Sequence, residues 1–399
     1  MNAEEARTQA PTLDLSNPAL PLRPQPHYAA LQRDERVARA PRTGSPVLVR
    51  YEDILYALRH PEIFSSEMES HLQLGTERPM IPQQIDPPRQ TKFRKILDPH
   101  FSRRRMVELE PRLREHAAAL IEGFASRGRC EFHEEFAVPF PCMVFLEQIG
   151  LPQEDLGLFL ELKDAIIRPG GPPDQAARTR TEAGRQIYAY FDRALEARSR
   201  GAPGEDMLWS LLHARIDGVP ISREEQLDIC FLLLLAGLDT VTATLGCSVL
   251  YLAENPEQRR RLLESPELIH GAVEELLRWE TPVMMIPRLV KRDTEIGGVP
   301  LEAGQIVILL LGAANLDAAE FPEPEQVDFA RGRNRHLAFG GGPHRCLGSH
   351  LARFELRIAL EELHRRIPDY HLDRSEPPRV SLGIREVKPL HLVFGKSRA

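Results

Sequence analysis

The sequence has no CxxC pair, no excess of positive charge, no targeting segment at its start and no repeat, and each absence removes a class of protein. Its five cysteines, at 130, 142, 230, 247 and 346, form neither an even framework nor a short-spaced set, which disfavours a disulfide scaffold and suits a reducing compartment. A net charge of −7 lacks the basic face of a nucleic-acid binder. The opening MNAEEARTQAPTLDLSNPALPLRP has no basic stretch followed by an apolar core, so no secretion signal and no membrane anchor are expected, and the chain is placed in the cytoplasm. Nor does any low-complexity linker divide it, so one domain over residues 1–399 is expected.

What remains is a soluble globular composition, 42% apolar and 27% charged, with ample material for a large core. PVLVR (46–50) reads as a first strand, followed by the helical YEDILYALRHPEIF and by IDPPRQTKFRKIL, where Pro87 and Pro88 can open a helix. Helices then dominate to about Trp279. Ser222 and Glu225 have capping-box spacing, and a helix from there to Glu254 would run about 48 Å at 1.5 Å per residue. Its stretch ICFLLLLAGLDTVTATLGCSVLYLA has the length of a membrane span. Asp239 in its middle, with Thr240, Thr242, Thr244 and Ser248, favours a buried central helix instead. After it, TEIGGVPLEAGQIVILLLGAAN reads as strands about a Gly297–Gly298 turn, and LHLVFG as a closing strand. The expected fold is mainly α with small β-sheets (α+β).

The cysteine at 346 stands in FGGGPHRCLG, between a glycine-rich turn and a helix that can begin at once. A thiolate there meets free backbone N–H groups and the positive end of a helix dipole, which together are expected to lower its pKa. Gly340, Gly341 and Gly342 let the backbone pass close to a flat ligand, and Gly348 leaves room for a large group. These requirements fit a cysteine that ligates haem iron. A zinc site from His344, Cys346 and His350 is the other reading, without the paired short-spaced ligands usual for zinc.

In AGLDT (236–240), Gly237 costs the helix about 1 kcal/mol relative to alanine. A local opening of the helix over bound O2 would explain it. Asp239 and Thr240 then form an acid–alcohol pair able to relay protons; a polar break in a core helix is the equal alternative. Glu275 and Arg278, three apart in EELLR, share one helix face.

The spacing Phe339, Gly342, Cys346, Gly348 resembles the haem-binding loop of the cytochrome P450 superfamily at every defining position. The likeness runs through the whole chain, since the first strand and helix, the DPP helix, the long helix, ExxR, the hairpin, ANLD (314–317) and the cysteine loop follow in family order. IPQQIDPPRQTKFRKIL and LLLLAGLDTV also resemble the camphor-hydroxylase branch. This resemblance implies haem b bound through Cys346 as iron ligand, beside Phe339, Gly340 and Gly348, with Arg94, Arg288, His344 and Gln90 about the propionates. It implies a structural triad of Glu275, Arg278 and Arg331, and catalytic roles for Gly237, Asp239 and Thr240. Substrate contacts would come from 78–84, 166–173, 235–240, 283–286 and 381–384, in particular Leu235, Ala236, Val283, Met284, Ile286 and Leu382. At the position of the camphor branch's ligand-holding tyrosine stands Arg78, which disfavours camphor and suits a carboxylate.

The reaction so implied is monooxygenation of a hydrophobic molecule, such as a terpenoid, fatty acid or steroid-like compound, with O2 as co-substrate. No GxGxxG follows a strand and no cysteine cluster suits an iron–sulfur centre, so NAD(P)H electrons must arrive through partners. A ferredoxin (or flavodoxin) and its reductase are expected, docking near Arg94, Lys95, Arg103, Arg104, Arg105 and Arg345; a solvated charged turn is the alternative for FSRRRM. The rival readings are an H2O2-driven peroxygenase and a non-catalytic haem protein that binds a ligand, both disfavoured by the intact acid–alcohol pair.

Overall fold

The capping box at Ser222 forms, with Ser222 Oγ accepting from the Glu225 N–H at 3.1 Å and Glu225 Oε2 accepting from the Ser222 N–H at 2.8 Å. The helix it opens organises the rest. The computed structural model describes residue 20 and residues 22–34, 36–68, 74–381 and 384–395; Leu382 lies outside them.

Thirteen helices are present among the described residues: α1 (Gln25–Asp34), α2 (Tyr51–Arg59), α3 (Arg89–Leu97), α4 (Arg103–Ala125), α5 (Pro139–Ile149), α6 (Leu156–Ile167), α7 (Pro173–Ser199), α8 (Met207–His213), α9 (Arg223–Glu254), α10 (Pro256–Glu264), α11 (Ile269–Glu280), α12 (Leu311–Ala314) and α13 (Ser349–Arg366). The strands are short. A five-stranded sheet joins β1 (Val37–Arg39), β2 (Pro46–Leu48) and β3 (Phe64–Ser65) to two strands from the second half of the chain. A second sheet brings β4 (Arg129–Glu131) beside the carboxy-terminal strands, and β5 (Arg215–Ile216) pairs with β6 (Val219–Pro220). The later strands are β7 (Ile286–Val290), β8 (Thr294–Ile296), β9 (Val299–Leu301), β10 (Ile306–Leu309), β11 (Tyr370–Leu372) and β12 (His391–Phe394). The large sheet runs β1-β2-β10-β7-β3, parallel only between β2 and β10. Gly297 and Gly298, with φ of 59° and 83°, turn the β8–β9 hairpin, a conformation that costs glycine nothing.

Helix α9 is apolar on every face, so it must be covered on every face. One apolar cluster packs its first half against α3 and α5–α8, and another packs its second half against α4, α11 and α13. It is the one helix among the described residues long and apolar enough to cross a membrane, and 83% of its apolar window is buried inside the fold. The hydroxyls on it return to the helix: Thr244 Oγ1 donates to the Thr240 carbonyl at 2.7 Å, and Thr242 Oγ1 lies 2.8 Å from the Leu238 carbonyl. The expected opening at Gly237 does not occur, because the α-helix is continuous from Arg223 to Glu254. A Cβ at Gly237 would stand 3.1 Å from the Phe145 ring, so the glycine there admits α5.

Candidate active site

The loop before α13 is held from both ends by its own backbone. The Cys346 N–H donates to the Phe339 carbonyl at 2.9 Å and the Gly340 N–H to the Leu337 carbonyl at 2.8 Å. Gly340 and Gly342 adopt φ of 65° and 62°. A Cβ at Gly342 would lie 2.0 Å from the Leu58 carbonyl oxygen, whereas one at Gly340 or Gly348 would meet nothing within 4 Å. The loop therefore leans on α2 through Gly342 and leaves space beside Gly340 and Gly348. The Arg353 guanidinium lies 4.4 Å over the Phe339 ring, a contact with no signal in the local spacing.

Helix α3 clamps the loop from the side. Arg94 Nη1 donates to the Arg345 carbonyl at 2.7 Å and its Nε to Asp98 at 3.0 Å. Gln90 Nε2 donates to the Pro343 carbonyl at 2.6 Å, and its Oε1 accepts from Thr91. Gln90 is thus tied to the loop backbone through one amide N–H, which satisfies part of its buried amide.

The Cys346 thiol has accessible surface yet lies deep within the protein, the position of a group lining a cleft. Its pKa is raised, not lowered as expected: burial outweighs the opposing pull of the Gly348 N–H and of Arg94, Arg345 and Arg353. The helix itself begins three residues on, at Ser349. Leu347 packs against the apolar cluster that covers the first half of α9 and ends at the middle of that helix. There Ala236 is exposed and Gly237 and Thr240 half-buried, while Leu235, Leu238 and Asp239 are enclosed. Residues 236, 237 and 240 lie on one helix face. Thr240 Oγ1 rests on the Ala236 carbonyl at 3.2 Å.

Two donor groups near the loop have no carboxylate within hydrogen-bond distance among the described residues. Arg288 on β7 is 8% exposed, and its guanidinium touches only the Pro287 carbonyl at 2.8 Å. Burial pushes its pKa down to about 10, with the Asp86 charge opposing. The buried His344 Nε2 has no hydrogen-bond partner among the described residues and stands 3.9 Å from Asp86 Oδ1. A buried guanidinium bonded only to a carbonyl is costly, so an anionic ligand is what this region fits. Accessible thiol, two unmatched donors and space at two glycines together match haem with its propionates. Among the described residues no three His, Cys, Asp or Glu side chains converge as a metal-ion cage, which removes the zinc reading.

Glu275 and Arg278 are wholly buried, joined at 2.7 and 2.9 Å, with Arg331 Nε 3.0 Å from Glu275 Oε1. Asn334 and the Asp328 N–H complete the carboxylate. Arg278 also donates to the Asn315, Pro324 and Gln326 carbonyls, so α11 ties down the chain leading to the cysteine loop.

The remaining expected residues divide. Val283 and Ile286 are half-buried, Val283 bridging to Ile384. Met284 is not at the cleft: it points the other way along the extended chain and packs with Tyr28, Val47 and Leu310. Arg78 is held by both oxygens of the buried Asp228, at 2.7 and 2.9 Å, which removes it as a free carboxylate receptor. Sequence spacing gave no sign of Lys163, Arg168 and Glu386, which surround Asp239 from α6 and the carboxy-terminal segment.

A family model described as cytochrome P450 matches residues 174–367. The vitamin D(3) 25-hydroxylase of Pseudonocardia autotrophica is 36% identical, covering 88% of this chain and 87% of its own. The steroid C26-monooxygenase of Mycobacterium tuberculosis (strain ATCC 25618 / H37Rv) is 32% identical over 98% of this chain and 99% of its own. The structure of cytochrome P450 CYP109Q5 from Chondromyces apiculatus superposes with a TM-score of 0.88 at 31% identity, covering 98% of this chain and all of that one. With relatives matched over nearly their whole length and a cleft that joins an accessible thiol to unmatched donors, the chain belongs to the cytochrome P450 family and is a haem-dependent monooxygenase that uses O2 and NAD(P)H-derived electrons delivered by redox partners.

Proposed function

We propose that this monooxygenase inserts one atom of O2 into a C–H bond of a large hydrophobic molecule of sterol, macrolide, terpenoid or fatty-acid type, with electrons from a ferredoxin and its reductase in the cytoplasm. The observation that carries this is the accessible face of Ala236, Gly237 and Thr240 in the otherwise enclosed middle of α9. Relatives named as a vitamin D(3) 25-hydroxylase, a mycinamicin IV hydroxylase/epoxidase and a steroid C26-monooxygenase support the size and character of the substrate.

Bound at Cys346, the haem supplies the one-electron and O2 chemistry that side chains cannot. Arg288, His344 and Arg94 would hold its carboxylates. Leu235, Ala236, Val283 and Ile286 keep water out and orient the substrate. Thr240 Oγ1 passes a proton into the cleft, and Asp239 behind it resupplies that proton. Of the basic residues near the loop, Arg94 pairs with Asp98, and Arg104 and Arg105 share Glu108. Among the described residues Lys95, Arg103 and Arg345 stay exposed without an ion pair, which favours an acidic partner on that face.

The test is the absorption spectrum of the reduced protein under CO, with and without Cys346→Ser. A strongly red-shifted band lost in the variant is expected, followed by substrate-induced spin-state shifts with sterols or macrolides. A band unchanged by Cys346→Ser sinks the ligand assignment, and product formed with H2O2 but never with reduced ferredoxin sinks the electron route.

A further inference from the structure

Asp239 is the one charged side chain in the apolar middle of α9, and it is fully enclosed. Lys163 Nζ lies 2.7 Å from its Oδ1, and Arg168 Nη2 is 3.3 Å from its Oδ2. That same Nη2 donates to Glu386 Oε2 at 2.5 Å, while Arg168 Nη1 donates to Asp164 at 2.8 Å. One guanidinium nitrogen is therefore shared by two buried carboxylates, and Glu386 holds the shorter bond. Charge-assisted bonds strengthen as they shorten, so the contest for Arg168 goes to Glu386.

The arrangement has more negative charge than Arg168 and Lys163 require. Asp164 and Asp239 already meet both cations, yet Glu386 is buried beside them at 4% exposure. Burial raises its pKa, Arg168 opposing and Asp239 adding to the rise. Behind it, His133 Nε2 stands 3.6 Å from Glu386 Oε1. Burial pushes His133 down to about 4, so it is neutral at pH 7 and does not balance the extra charge. A network built only to hold α6 to α9 has no need of this third carboxylate.

We infer that Glu386 is a positioning residue for proton delivery: by drawing Arg168 away, it keeps the Asp239–Arg168 bond long and leaves the Asp239 carboxylate able to turn toward Thr240. This rests on the role proposed above for Asp239. A carboxylate gripped closely by two cations has its rotamer fixed and cannot swing to a neighbouring hydroxyl.

Glu386→Gln keeps the shape and removes the charge. In its crystal structure the Arg168 Nη2–Asp239 Oδ2 separation should shrink from 3.3 Å to about 2.8 Å, the length of an uncontested pair. In the haem-loaded protein, supplied with NADH, a ferredoxin and its reductase and no added substrate, the solvent kinetic isotope effect on O2 reduction should rise about twofold as proton delivery becomes limiting. Glu386→Asp should restore both toward the parent, and the CO spectrum of each variant verifies that the site has folded. If Glu386→Gln leaves the separation and the isotope effect unchanged while Asp239→Asn raises the latter, Glu386 is structural and the inference falls. If Asp239→Asn has no effect either, the role proposed for Asp239 falls with it.

Discussion

At the scale of single residues, Gly342 and Gly340 separate two demands that the run of glycines presents together. Both have φ in the left-handed region, which costs a side-chain-bearing residue about 1–2 kcal/mol. Only at Gly342 does the added Cβ also strike backbone, the Leu58 carbonyl 2.0 Å away. Gly342→Ala should therefore destabilise the protein by about 3 kcal/mol and weaken haem retention, since α2 and the loop must part. Gly340→Ala should cost about 1 kcal/mol. Urea unfolding of the two haem-loaded variants measures the difference, and equal losses would show that contact with α2 is not what the loop depends on. The thiol that follows them illustrates a limit of local reading. Helix-end position favours a low pKa for Cys346, but depth in the protein is set by the surrounding chain and outweighs it.

At the scale of elements, α13 carries a buried carboxyl, Glu355, with no ion pair among the described residues. Burial pushes its pKa well above the ordinary carboxylate value. The folded protein thus prefers the protonated form more than the unfolded chain does. The stability this gives is complete below the unfolded pKa and is lost as pH rises through the folded one. Glu355→Gln should flatten that loss, matching the parent's melting temperature near pH 4 and exceeding it by several degrees at pH 8. Melts of the two proteins at both pH values check this; a parent as stable at pH 8 as its variant would mean that Glu355 finds a partner in solution. Helix α11 offers the opposite case, where Glu275 is equally buried but met by Arg278, Arg331, Asn334 and a backbone N–H. The three-residue spacing shows that Glu275 and Arg278 share a face, and says nothing of whether that face is buried.

At the scale of the whole molecule, Arg78 joins three pieces of chain. Its guanidinium grips Asp228 on α9, and Tyr188 from α7 donates to the same carboxylate at 2.8 Å. Alongside, Gly184 lets α7 approach the Gly75 carbonyl so closely that a Cβ would lie 1.8 Å from it. Arg78→Ala leaves Asp228 enclosed with a hydroxyl as its remaining side-chain donor. Because Arg78 is half-exposed and screened, the loss should be about 1–2 kcal/mol. Hydrogen exchange should quicken in 76–84 while the amides of α9 keep their protection. Unchanged exchange in 76–84 would show that the glycine contact alone holds this segment to α7.

By itself the sequence determined whatever depends on neighbours a few residues apart: the capping box of Ser222 and Glu225, the helix apolar on all sides, the Gly297–Gly298 turn, and the loop that presents Cys346. These are settled by backbone geometry and by side chains within one or two turns. Only the tertiary structure decided which groups meet across the chain. It gave Gln90 to the Pro343 carbonyl, Arg78 to Asp228, Met284 to the sheet core, Gly237 to the Phe145 ring, and Arg168 to Glu386 as well as Asp239. A buried charge takes the partner that folding brings within about 4 Å, and no spacing along one segment records how near a distant segment will come.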